Sequence, residues 1–282
     1  MLPAVFFGVV LLFSVAAGIL GAILGLGGGV ILVPFLALVM GLNIHYAIGA
    51  SLVSVIATSS GAAAVYVRSK ISNLKVGLFL SMATTVGAIS GAYLAGIIPD
   101  RVLFIIFGVV LAYSALAMFR KRKTELPVGV VADRTSEYLE LSDSYHDPAL
   151  GRYVEYKVTG ALPGLGLMYV AGAASGLLGI GSGILKVPAM DLVMRLPMKV
   201  SSATSNFMIG ITAAASAAVY FLRGDINPFI AAPVAIGVLG GAMAGTHFLH
   251  NFTSSGIRTF FVVILVLVSL QMLLKGVGVA FY

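Results

Sequence analysis

The chain has 282 residues, of which 60% are hydrophobic and only 10% charged, with a mean hydropathy of +1.08 and a formal net charge of +7. That composition leaves too little polar surface to solvate a globule of this size, so most of the chain must use lipid as its solvent. Cysteine is absent, which excludes disulfides, thiolate metal sites and thiol relays, and in a membrane protein the basic excess records which loops face the cytoplasm, not nucleic-acid binding.

The first apolar run covers about residues 4–24. It follows Met-Leu-Pro-Ala with no basic segment before it and no small-residue cleavage site after it, so it reads as a retained helix and not a removable signal peptide. Next comes Gly25-Leu-Gly-Gly-Gly-Val-Ile-Leu-Val-Pro34, and this stretch returns 154 residues later as Gly179-Ile-Gly-Ser-Gly-Ile-Leu-Lys-Val-Pro188. The repeat holds register without a gap: Leu38-Val39-Met40 recurs as Leu192-Val193-Met194, Ala63-Ala64-Val65-Tyr66 as Ala217-Ala218-Val219-Tyr220, and Gly87 and Gly91 as Gly241 and Gly245. A duplicated glycine-rich break in an apolar chain predicts a membrane transporter built from two similar halves around a central site.

In chain order the apolar runs fall at about 4–24, 29–41, 47–67, 76–97 and 102–119, then at 159–178, 183–194, 200–222, 228–249 and 257–274. The expected fold is therefore all-α and membrane-embedded, with five transmembrane or broken helices in each half: residues 1–120 form the first repeat and 159–282 the second. In each half the second run is too short to cross: about a dozen helical residues rise roughly 18 Å against roughly 30 Å of hydrocarbon. Such segments are broken or re-entrant helices, tolerated only where protein or a water-filled cavity satisfies the freed backbone groups.

Residues 121–158 join the halves. They carry seven of the ten acidic residues, from Glu125 to Glu155, just after the basic run Arg120–Lys123, and few aliphatic ones. This stretch reads as a flexible or partly helical cytoplasmic linker. If every run crosses, the four residues of the basic run are joined inside by Arg68, Lys70, Lys75, Arg195, Lys199 and Arg258, ten in all, with Arg101, Arg223 and Lys275 outside. Ten against three favours that scheme, which makes the halves inverted repeats; if the short runs dip in and return, the repeats are parallel and the count becomes nine to four.

The glycine motifs offer backbone N–H groups ahead of a helix start in mid-membrane, a setting that suits an oxyanion. Gly27, Gly28 and Gly29, with Gly181, Ser182 and Gly183, are therefore candidate substrate-binding residues. By contrast, Gly87-x-x-x-Gly91, Gly237-x-x-x-Gly241 and Gly241-x-x-x-Gly245 suit close helix packing. Neither motif completes a dinucleotide fingerprint, since Val30 and Ile184 occupy its last position, and no cofactor is expected.

Lys186, where the first half has Leu32, is a cation that needs an anion or a counter-charge. Asp191 is five positions away, off the face that i+3 or i+4 would share, so Lys186 is read as an anion ligand. Ser51 and Ser205 occupy equivalent positions and Asn206 stands opposite Leu52; these polar groups donate hydrogen bonds to sulfonate or carboxylate oxygens without a second desolvated charge. The four histidines lack metal-ligand spacing; His247 and His250 read as an interfacial cluster and His45 as a loop residue open to protonation. No nucleophile triad or embedded carboxylate pair points to an enzyme.

The duplicated Gly-rich…Val-Pro motif, one copy near the N-terminus and one after a central loop, resembles the TauE/SafE sulfite exporter family over nearly the whole chain apart from about 121–158. The resemblance implies a multi-pass protein of the bacterial inner membrane that moves sulfite, sulfoacetate or a related small anion. Ser182 and Lys186 depart from the family pattern. An anion channel, or a membrane scaffold or sensor acting through the linker, are the alternatives.

Overall fold

A computed structural model of the chain describes residues 3–24, 28–120, 129–147, 151–248 and 254–278. Ten long or broken helices appear in two sets of five. The first set is α1 (Pro3–Leu24), α2 (Gly29–Pro34, continued as a π-helical turn over Phe35–Val39), α3 (Ile44–Arg68), α4 (Leu74–Ala95) and α5 (Asp100–Arg120). The linker contributes α6 (Arg134–Tyr138) and an antiparallel hairpin of β1 (Asp143–Asp147) and β2 (Arg152–Tyr156). The second set is α7 (Ala161–Leu178), α8 (Gly183–Pro188, with a π-turn over Ala189–Val193), α9 (Met198–Leu222), α10 (Pro228–Phe248) and α11 (Ser254–Val277). Apart from the small hairpin, the described residues are helical or in the connections between helices, as an all-α membrane protein requires.

Five of these helices are long and apolar enough to cross a membrane, and shorter apolar stretches lie in α1, α2, α10 and α11. The lipid-facing pattern is visible along α4: Leu78, Met82, Val86, Ile89 and Tyr93 are exposed at steps of three and four. The opposite face buries Gly77, Ser81, Thr84, Gly87, Ala88 and Gly91. Small residues inside and large apolar ones outside is the arrangement expected when the solvent is hydrocarbon.

Both broken segments are short for the same local reason. Pro34 and Pro188 cannot donate to the turn behind them, and the helix widens after each, so that Met40 N–H reaches Phe35 O (3.1 Å) and Met194 N–H reaches Ala189 O (3.4 Å).

The helix pairing is the same when the two halves are exchanged. α1 packs on α10 as α7 does on α4, α3 on α10 as α9 does on α4, and α3·α9 and α5·α11 are self-equivalent pairs. Glycines make the close approaches: a Cβ on Gly87 or Gly91 would overlap the Tyr169 or Ala173 carbonyl of α7, and one on Gly241 would overlap the Val15 carbonyl of α1. Gly172 and Gly176 on α7 complete the α4 contact, against the Thr84 and Ala88 carbonyls. Gly245 lies on α10, with surroundings outside the described residues.

The linker departs from its sequence reading. It is partly helical, through α6, but it is not a loose tether: it carries a docked hairpin, because Tyr145, Tyr156, Leu141 and Val158 turn inward and join one apolar core with Val76 and Leu80 of α4, Met190 and Met194 after α8, and Val200 and Met208 of α9. Asn73 fastens it. Its Oδ1 caps α4 by accepting from Val76 N–H (2.9 Å), its Nδ2 donates to Leu141 O (2.8 Å) and Tyr156 Oη (2.9 Å), and its own N–H donates to Thr204 Oγ1 of α9 (3.0 Å). One side chain with its backbone thus ties the first half, the linker and the second half together.

Candidate functional site

The residues that precede α2 and α8 take left-handed conformations, Gly28 at φ 69° and Ser182 at φ 49°, and Gly179 (φ 67°) and Gly181 (φ 68°) do the same ahead of α8. Three of the four are glycine, which alone adopts this region without strain; Ser182 does so as a non-glycine. These turns redirect the chain at the glycine break and start a helix inside the protein. Gly27 lies outside the described residues.

The two breaks meet. A Cβ added to Gly29 would stand 2.8 Å from the Gly179 carbonyl and 2.5 Å from Ser51 Oγ, and one on Gly181 would stand 2.9 Å from Val55 on α3. Ser51, itself on α3, donates to the Gly179 carbonyl at 2.7 Å. The hydroxyl expected to bind substrate is therefore engaged in joining the first half to the second motif. Its single hydrogen is committed, leaving only lone pairs.

Ser205, the equivalent residue on α9, behaves differently: its hydroxyl is buried without a partner among the described residues, as are those of Ser182 and of Ser54. Ser54 Oγ sits 3.6 Å from the position of a Cβ on Gly28. Buried hydroxyls left unbonded are costly in hydrocarbon, and eight serines among the described residues share this state, Ser54 and Ser182 of them at the glycine breaks. Asn206 is nearly buried and its Nδ2 donates to Ser202 O one turn back (3.0 Å), as helix-internal bonding would have it. Gly183 is buried at the first turn of α8.

Lys186 is fully buried. Its Nζ donates to Thr212 Oγ1 on α9 at 2.8 Å, and Thr212 Oγ1 in turn bonds Met208 O (2.7 Å) and lies 3.2 Å from Thr84 Oγ1 on α4. Among the described residues it has no carboxylate partner. The ammonium thus points to the seam of α8, α9 and α4, reached from the second break. Thr84 and Thr212 were not singled out by sequence. The signal available was their position: Thr212 repeats Thr58 at the same 154-residue offset, and hydroxyls in apolar helices are few.

Among the described residues no group of histidine, aspartate and glutamate is placed to hold a metal ion. His45 belongs not to a loop but to the first turn of α3. His146 is on β1 against Tyr153, the His247 side chain is not described, and His250 lies outside the described residues.

Residues 10–272 match the sequence profile of the sulfite exporter TauE/SafE family. The chain belongs to that family. It is 27% identical over 278 residues to the probable membrane transporter protein YunE of Bacillus subtilis, covering 96% of this chain and 98% of that protein. It is 26% identical over 244 residues to a probable membrane transporter protein of Xylella fastidiosa, covering 85% of each. A segment of 83 residues is 35% identical to sulfite exporter TauE/SafE family protein 2 of Arabidopsis thaliana, covering 29% of this chain and 17% of that one. No solved structure matches it. This TauE/SafE protein is thus a multi-pass membrane transporter and not an enzyme, and a transporter of this family acts on a small-molecule substrate within a lipid bilayer.

Proposed function

We propose that the protein exports a small sulfur-containing anion, such as sulfite or an organosulfonate, across the bacterial inner membrane as a secondary transporter, and that the anion binds where the two glycine breaks meet. The observation that carries this reading is the approach of Gly29 to Gly179 across the two halves, with the hydroxyls of Ser182 in the second break, Ser54 on α3 and Ser205 on α9 buried without a hydrogen-bond partner among the described residues. Backbone N–H groups of two helix starts and neutral hydroxyls hold an oxyanion without burying many charges. Lys186 supports the same reading: a buried cation bonded to the neutral Thr212 hydroxyl, with no carboxylate partner among the described residues, has its charge unmatched until an anion arrives. Export of an anion is favoured by an inside-negative potential, by about 2.3 kcal/mol per charge per 100 mV, so no nucleotide motif is needed.

We further infer that the halves are inverted repeats with the linker in the cytoplasm. His45 at the start of α3 contacts the Ala95 carbonyl at the end of α4, and Arg223, just past the end of α9, donates to the nearby Ala92 carbonyl, so α3 begins where its counterpart α9 stops. At the opposite end Asn73 starts α4 beside the linker and Thr204 of the early α9. Arg68, Lys70, Lys75, Arg195 and Lys199 are on that linker end, as cytoplasmic loops require, and Arg101, Arg223 and Lys275 on the other.

Purified protein in proteoliposomes tests the transport reading. Counterflow of labelled sulfite or sulfoacetate driven by unlabelled anion inside is the expected result. Unitary currents would make it an anion channel, and neither signal with any sulfur anion would leave a scaffold or sensor. A thermal-shift screen of sulfite, thiosulfate, sulfoacetate, taurine and carboxylates identifies the anion, since a ligand at 100 times its Kd adds roughly 2.7 kcal/mol to the folded state.

A further inference from the structure

At the end of the molecule away from the linker, the polar atoms that the described residues place beside the His45 ring nitrogens are acceptors. Nε2 lies 2.9 Å from the Ala95 carbonyl of α4. Nδ1 lies 3.0 Å from Asn43 Oδ1 and 3.4 Å from a carboxylate oxygen of Asp100, the first residue of α5. The orientation of the Asn43 amide is fixed independently: its Oδ1 accepts from the His45 backbone N–H at 2.8 Å, which only an oxygen can do, and its Nδ2 faces Asp100 Oδ2 at 3.5 Å. A neutral imidazole has one N–H to give, whereas here both ring nitrogens meet oxygen. The arrangement is satisfied only by the imidazolium, with the Asp100 carboxylate beside it as counter-ion.

We propose that His45, Asn43, Asp100 and the Ala95 carbonyl form a proton-binding site that locks the start of α3 to the end of α4 and the start of α5, and that loss of the proton releases α3. Without the proton one ring nitrogen is left facing an oxygen lone pair, and Asp100 loses its cation. The release reaches the centre through α3 itself, since Ser51, six residues further on, clasps the Gly179 carbonyl of the second break. Of the other charged groups at this end, Arg223, Asp225 and Lys275 are engaged elsewhere. Arg223 pairs with Asp225, donates to the Ala92 carbonyl and covers the Tyr220 ring, and Lys275 donates to the Ala37 carbonyl and covers Phe104. Arg101 follows Asp100 on the exposed side of α5, and Tyr46 and Tyr93 are exposed phenols. At the position equivalent to His45 the second half carries Lys199, so the device exists in one half only. The site goes beyond the anion reading and does not depend on which anion is carried.

Spin labels on cysteines replacing the exposed Tyr46 and Ile97 of this cysteine-free chain, in the full-length protein in nanodiscs, report the distance from α3 to the end of α4. The expected result is one narrow distance at pH 5 and a broader distribution with a longer component at pH 9, with His45→Gln giving the same distribution at both values. Asp100→Asn, which keeps the shape of the site and removes its charge, should shrink the narrow population at pH 7 and serves as the second variant if His45→Gln does not fold. An unchanged distance between pH 5 and pH 9, a pH response that survives in His45→Gln, or an Asp100→Asn distribution identical to the parent overturns the proposal. Anion counterflow measured on the same samples tests the transport reading separately.

Discussion

Ser182 shows what a single residue costs in this fold. It occupies the turn that its repeat partner Gly28 fills as glycine, and takes φ 49° with a Cβ in place. Left-handed backbone costs a non-glycine residue roughly 1–2 kcal/mol, so Ser182→Gly should raise the unfolding temperature by an amount corresponding to about 1 kcal/mol; if its hydroxyl also meets the anion, the same variant loses affinity. A thermal melt and a ligand titration on one sample read both effects. Lys186→Met provides the complementary case. Removing a buried cation that no carboxylate balances should leave the fold intact or more stable, while anion binding weakens at least tenfold, about 1.4 kcal/mol. Unchanged affinity together with a lower melting temperature would make Lys186 a structural partner of Thr212 and nothing more. The sequence exposed Lys186 as out of place in an apolar run, but not that its ammonium would reach Thr212 and Thr84, because that depends on how α8, α9 and α4 are packed.

At the scale of elements, the contact of the two glycine breaks and the docking of the hairpin each make a distinct prediction. Gly29→Ala would push a methyl group toward Ser51 Oγ and the Gly179 carbonyl, so it should abolish transport and lower stability, whereas Gly8→Ala on α1, with open space around it, should be neutral or stabilising by up to about 1 kcal/mol. Equal effects at the two positions would remove the close approach of the breaks as the reason for glycine. The hairpin responds to alkaline pH. Burial pushes the Tyr156 hydroxyl well above the ordinary tyrosine range, with the Asn73 hydrogen bond opposing that shift. Because the folded-state value is raised, its contribution is fully present below the unfolded value of about 10 and fades as the pH rises above it. Protease protection of residues 129–158 should therefore fall above about pH 10, and Tyr156→Phe should lose this dependence while weakening docking at neutral pH by about 1 kcal/mol. The exposed Lys75–Glu140 pair (2.6 Å) works in the other direction: hydrogen bonding and charge from Lys75 lower the Glu140 value, so whatever it adds is present at neutral pH and lost in acid. Composition left the linker looking like a tether because the apolar residues that dock, among them Leu141, Tyr145, Tyr156 and Val158, are scattered and make no amphipathic run long enough to stand out; they find their core only on α4, α9 and the turn after α8.

The molecule as a whole pairs its helices in a pattern that survives exchange of the two halves, which is what a duplicated chain produces when each copy packs against the other. If the halves are inverted, residues near both ends of the described chain lie on one side of the membrane and the linker on the other. Cysteines at Val5 and Gly278 should both react with an impermeant reagent from the periplasm, and one at Glu155 only from the cytoplasm. Val5 and Gly278 reacting from opposite sides would reject the ten-run scheme, and both reacting from the cytoplasm would favour parallel repeats.

The sequence by itself determined the solvent, the ten apolar helical runs to within a few residues, the duplication and the two breaks. Each of these is set by local chemistry: apolar run length against bilayer thickness, the conformational freedom of glycine, the missing N–H of proline. Only the tertiary structure decided which polar groups are free to act. Ser51 and Ser205 occupy equivalent positions of the repeat, yet one donates to Gly179 and the other has no partner among the described residues, and His45 acquires its ring of acceptors from Asn43, Ala95 and Asp100. A hydrogen bond is made by whatever lies within about 3 Å in space, and in this fold those neighbours are as far apart in the chain as Lys275 and Ala37, 238 residues.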